Sequence, residues 1–124
     1  MIPLLLPTHQ LNHSQRLAET ISQLPGKSLV IASVDFSHYL SESIALENDE
    51  ISLETLQTTG NFGKIRILDV DCPACLGVLY LLAQPEHQQV QQWLRDSSSS
   101  LLGKDLGAGN TSRQFLWWKS VDEK

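Results

Sequence analysis

The residues best equipped for chemistry stand together in Ser33-Val34-Asp35-Phe36-Ser37-His38-Tyr39. Asp35 comes three positions before His38, and a carboxylate near an imidazole can orient the ring, raise its basicity or join it on a metal. Ser33 and Ser37 add hydroxyls to the same stretch. A plainer reading fits the spacing equally: Asp35 and Ser37 cap the following turn, and His38 is a surface residue. The second candidate is Cys72-Pro73-Ala74-Cys75. A Cys-x-x-Cys before a helix can act as a dithiol redox pair, with the helix dipole lowering the thiol pKa at Cys72. Two cysteines exclude a four-cysteine zinc site but allow a mixed site with His or Asp. The plainer reading packs Cys75 on the buried helix face and leaves only Cys72 exposed. Asp49 falls in a predicted helix, where a solvated face is the ordinary explanation. His9, His13 and His87 lie in polar surroundings and read as solvent-facing. Gly103, Gly107 and Gly109 are too irregularly spaced for a phosphate loop.

These residues need elements to hold them. Ile2-Pro3-Leu4-Leu5-Leu6 reads as a short strand with Pro3 near its start or on an edge. Asn12 can cap a helix with Leu17, Ile21 and Leu24 on one face, ended by Pro25-Gly26. Leu29-Val30-Ile31-Ala32 is a continuous apolar run, the pattern of a strand covered on both faces. Strand, helix, strand in that order predicts a right-handed βαβ unit. Ligands gather at the carboxyl ends of strands in such folds, and the second strand delivers Ser33, Asp35, Ser37 and His38 there. Further on, 43–59 reads as a surface helix, 62–70 is open between a short helix and an extended piece, and 73–84 is the clearest helix, with Pro73 in its first turn. Pro85 is expected to start a Gln-rich helix to about Arg95. A Ser- and Gly-rich loop follows, and Gln114-Phe115-Leu116-Trp117-Trp118 reads as a closing strand. The expected class is therefore α/β, a mostly parallel sheet with flanking helices, in one domain over 1–124.

Composition narrows the function classes. The chain has 124 residues, 41% hydrophobic and 19% charged, which is ordinary globular composition and enough for a real core. With a net charge of -5 and nine scattered Lys and Arg, it lacks the clustered cations that track phosphates, so neither nucleic acid nor an anionic membrane is expected as a partner. No apolar run reaches the roughly 20 residues of a membrane span, and Met1 to Pro7 lacks the basic start of a signal peptide. The cysteines do not suggest a secreted disulfide framework. A cytoplasmic protein is the expectation, and the Asn-x-Ser sequences at Asn12 and Asn110 read as chance.

Taken in order, these features resemble the C-terminal half of the Memo-like family, also called AmmeMemoRadiSam system protein B. Ile2-Pro3-Leu4-Leu5 resembles the family's first strand of this half. Val30-Ile31-Ala32-Ser33-Val34-Asp35-Phe36-Ser37-His38-Tyr39 resembles its central signature, and Asp49 matches an acidic position beyond it. Cys72 leading into Gly77-Val78-Leu79 resembles its cysteine loop and following helix. The family is similar to class III extradiol dioxygenases, which hold non-haem iron in an α/β fold. The resemblance implies a dioxygenase-like pocket walled by Asp35 and His38, with His38 as an acid/base or second-shell group or a ligand, and with Ser33, Ser37 and Asp49 lining it. It implies Cys72 as a metal ligand, with Asp71 or Cys75 as alternatives for that place. Iron is the implied metal, with copper or zinc as alternatives, and the substrate would be a small molecule.

The family's N-terminal half, which supplies histidine ligands, has no counterpart in this sequence. Two or fewer protein ligands hold a metal weakly, so an empty site is part of the expectation. So is association with a second copy or with a chain that supplies the other half. Two further readings stand beside the enzyme: a non-catalytic binding module with a vestigial pocket, and a Cys72–Cys75 redox protein.

Overall fold

The computed structural model describes residues 2–120. Four helices and two strands follow one another as α1 (Leu11–Ser22), α2 (Glu42–Gln57), α3 (Pro73–Ala83), β1 (Gln88–Ser97), α4 (Ser98–Leu102) and β2 (Ser112–Ser120), with 3-10 turns at Phe62–Ile67 and Gly107–Gly109. The first three helices fall close to where apolar spacing places them, although α1 begins at Leu11 with Gln10 as its N-cap, so Asn12 lies within the helix and does not cap it. Pro73 opens α3, where its missing N–H costs nothing and its fixed φ suits a first turn. The α1 face carrying Ser14 and Ala18 packs on α3. Gly77 makes that approach close: a Cβ there would stand 2.9 Å from Ser14 Oγ, so only glycine fits without a shift. The core gathers Phe36, Leu56, Ile65, Leu68, Val70, Leu76, Tyr80 and Val90. Tyr80 also serves α2's end, its hydroxyl donating to the Thr58 carbonyl at 2.7 Å and accepting from the Asn61 N–H at 2.9 Å.

The class is α/β, but the sheet differs from the expected one. Among the described residues it has two strands, β1 and β2, paired antiparallel from Gln88↔Ser120 to Ser97↔Ser112. The mostly parallel sheet is not seen. Residues 2–6 and 29–32, expected as its strands, have no ladder partner. Their apolar side chains stand in solvent, with Leu5 102%, Leu29 86% and Ile31 77% exposed. A strand needs a neighbour for its backbone groups, and here neither segment finds one.

The Gln-rich helix expected from Pro85 to Arg95 is also corrected, because that stretch is β1. Gln is a fair helix former, but propensity is a weak local preference, and cross-strand pairing with the aromatic stretch of β2 outweighs it. A register shift between Gln92 and Leu94 leaves Trp93 as an extra, exposed residue. Such a bulge breaks the period-two pattern that would have signalled a strand. Within the expected Ser-rich loop, Ser97 and Ser100 form a reciprocal capping box that starts α4.

Candidate functional site

The segment carrying Asp35 and His38 runs antiparallel to the start of β2. Phe36 N–H donates to the Ser112 carbonyl at 3.0 Å, Ser112 N–H to the Ser37 carbonyl at 2.9 Å, and Tyr39 N–H to the Asn110 carbonyl at 2.8 Å. His38 and Thr111 form the bridge between the two segments. Phe36, 2% exposed, pins this segment into the core. Tyr39 takes a left-handed conformation with φ 61°, strained for a residue with a Cβ, and turns the chain directly after His38.

The loop before α3 is tied to the same segment from its other side. Asp35 N–H donates to Asp71 Oδ1, and Asp71 N–H donates to the Asp35 carbonyl, each at 3.0 Å. This reciprocal pair brings together Asp35, His38 and Asp71, whose ligand atoms lie within 4.8 Å of one another. His38 is half-buried, and its Nδ1 lies 3.3 Å from Thr111 Oγ1, a contact that fixes the ring plane. Two carboxylates and an imidazole form a hard-to-borderline donor set, which suits iron, zinc or manganese.

The other predicted site residues fall elsewhere. Ser33 is exposed. Ser37 and Asp49 are buried and belong to a polar network behind the cluster. Asp49 is not on a solvated face: its Oδ1 accepts from Ser112 Oγ at 2.9 Å and Ser37 Oγ at 3.3 Å, and its Oδ2 accepts from Arg95 Nε at 2.8 Å. Arg95 also bonds Glu42, whose other oxygen accepts from Ser97 Oγ and Asn110 Nδ2. Arg95 Nη2 is buried without a partner. Cys72 and Cys75 are joined in a disulfide, and a disulfide sulfur is not the thiolate that binds metals. In this oxidised form, Asp71 is the member of its loop that meets Asp35 and His38, rather than Cys72. Arg95 and Asn110, the polar hubs, carried no local sequence signal, because their partners are distant in the chain.

Burial pulls the Glu42 carboxyl upward. Hydrogen bonds from Arg95, Ser97 and Asn110, together with the Arg95 charge, outweigh it and hold Glu42 below its ordinary value of 4.5. Desolvation likewise draws the Arg95 guanidinium down, while its bonds to Glu42 and Asp49 leave it raised overall. A carboxyl depressed in the folded state stabilises the fold above its unfolded pKa, and that contribution is lost as pH falls through the folded pKa. Acid titration of stability should therefore fall off below about pH 4.5, and less steeply in Glu42→Gln. Identical acid limbs for the two proteins would rule Glu42 out as a source.

A groove of about 1470 Å³ lies elsewhere, between α1, residues 28–32, α3 and β2. It is lined by apolar residues including Ile21, Leu29, Ile31 and Trp117, and by none of Asp35, His38 or Asp71. Among the described residues, no helix is long and apolar enough to cross a membrane. No protein-family model, curated protein or solved structure matches the chain.

Proposed function

We propose that this chain is one wall of a Memo-like, dioxygenase-like pocket that holds a divalent metal through Asp35, His38 and Asp71. The convergence of these three side chains within 4.8 Å carries the reading. Their donor chemistry fits non-haem iron, with zinc as the alternative. Asp71 takes the place that the resemblance offered first to Cys72. A metal held there would supply Lewis acidity or electron transfer to a small oxygenated substrate. The chain's own residues do the rest. The Asp35 N–H orients the Asp71 carboxylate, the Asp71 N–H bond to the Asp35 carbonyl ties the two segments together, and Thr111 holds the imidazole of His38. A ring nitrogen that binds metal cannot also carry a proton, so His38 would serve as ligand through one nitrogen and as hydrogen-bond donor through the other.

The exposed apolar segments 2–6 and 29–32 agree with a half-fold whose parallel sheet is completed by the family's N-terminal half, on the same or another chain, or by a second copy. The open groove beside residues 28–32 provides the contiguous apolar surface that such a cover would need.

Anaerobic calorimetric titration with Fe(II), and separately with Zn(II), tests the metal site. One cation per chain is expected, with His38→Ala and Asp71→Asn each weakening affinity at least roughly ten-fold. The double change Cys72→Ala with Cys75→Ala should bind as tightly as the oxidised wild type. Equal affinity in wild type, His38→Ala and Asp71→Asn would end the metal reading.

A further inference from the structure

We infer that Cys72–Cys75 is a redox-active disulfide that exchanges with a dithiol partner, with Cys75 as the attacked sulfur and Cys72 as the leaving thiolate. The two sulfurs are bonded across a separation of three residues, at the start of α3. A crosslink closing so short a loop constrains the unfolded chain far less than one closing a long loop, so folding stability gives little reason for it. The two sulfurs also sit in different surroundings. Cys72 is buried, with 7% of the residue exposed, whereas Cys75 is half-buried and more open to solvent.

Cys72 occupies the N-cap of α3, and its Sγ accepts from the Cys75 N–H at 3.2 Å. A sulfur released there stays beside the Cys75 N–H, which donates to the Cys72 carbonyl at 3.1 Å as well, at the N-terminal end of the helix. Attack on a disulfide requires access, and the more open of the two residues is Cys75, which sets the direction of exchange.

The step balances with the partner dithiol as reductant. Its thiolate attacks Cys75 Sγ, forming a mixed disulfide and breaking the Cys72–Cys75 bond, whose electron pair leaves on Cys72. The partner's second thiolate then attacks its own sulfur in the mixed disulfide and releases Cys75. The partner ends as a disulfide, and the two protons it gives up go to the protein thiols through solvent. The inference is independent of the metal reading, because none of its readouts needs a cation.

The test treats the folded, metal-free chain with dithiothreitol, then alkylates it and counts labels by intact mass. No label before reduction and two labels after it, without denaturant, are expected. The direction is read by exposing the oxidised protein briefly to reduced glutathione, alkylating the released thiol at once and mapping the mixed disulfide by peptide mass. The glutathione adduct should lie on Cys75, with the alkyl label on Cys72, roughly ten-fold more often than the reverse. Labelling of both cysteines without reduction, or reduction only in denaturant, would overturn the inference, as would equal adduct on the two cysteines.

Discussion

Arg95→Ala should cost about 3–5 kcal/mol of folding stability, the range for breaking a buried ion pair by removing one partner. Arg95 and Asp49 are 12% and 2% exposed at their side chains, so neither charge is restored to water when the other is lost. Truncation would leave Asp49 facing only the hydroxyls of Ser37 and Ser112, and would strip Glu42 of its cation. Denaturant unfolding at constant m-value is the measurement. The second variant decides the cause: in Arg95→Ala the further change Asp49→Asn removes the stranded charge and should recover part of the loss. A loss below about 1 kcal/mol would put this pair with ordinary surface salt bridges and remove the network as an organiser of the fold.

Phe36→Ala should be comparably damaging, about 3–5 kcal/mol, from lost burial plus the cavity left behind. Phe36 is the core anchor of the stretch that holds Asp35 and His38, and it belongs to the same buried cluster as Leu56, Ile65, Val70 and Tyr80. Domains are stable by only about 5–15 kcal/mol, so this variant should be near its unfolding midpoint in mild denaturant. A change under about 1 kcal/mol would mean that the core does not hold the segment. The effects of Arg95→Ala and Phe36→Ala should not simply add, because Ser37, the neighbour of Phe36, is bonded to Asp49.

What could be read from the sequence follows the range of the forces involved. α1, α2 and α3 were legible because their signals are local: apolar spacing, a proline at the first turn, glycine after the end. β1 was not, because its pairing with β2 lies some distance along the chain and the Trp93 bulge disturbs its alternation. Asp49 was misplaced for a related reason. A carboxylate amid polar helix residues looks solvated until Arg95, 46 positions away, is folded against it. Asp35 and His38 were picked out by type and spacing. Asp71 was named only as a substitute for Cys72, and the backbone bonds that set it beside Asp35 leave no mark in composition. The parallel sheet was read from apolar runs that the described residues leave uncovered. Those runs carry strand character, but a run of that kind cannot specify its neighbour.

Residues 29–32 lead into Asp35 with only two residues between, and they make no ladder of their own. Fixing such a backbone costs about 1–2 kcal/mol per residue in entropy. On the proposed function, a cover against this run and a metal at the Asp35–His38–Asp71 cluster would order one continuous stretch of chain, each meeting part of the cost for the other. Thermodynamic reciprocity would then make the two events mutually reinforcing: occupancy of the cluster would report on the cover, and the cover would tune the cluster's affinity without touching it.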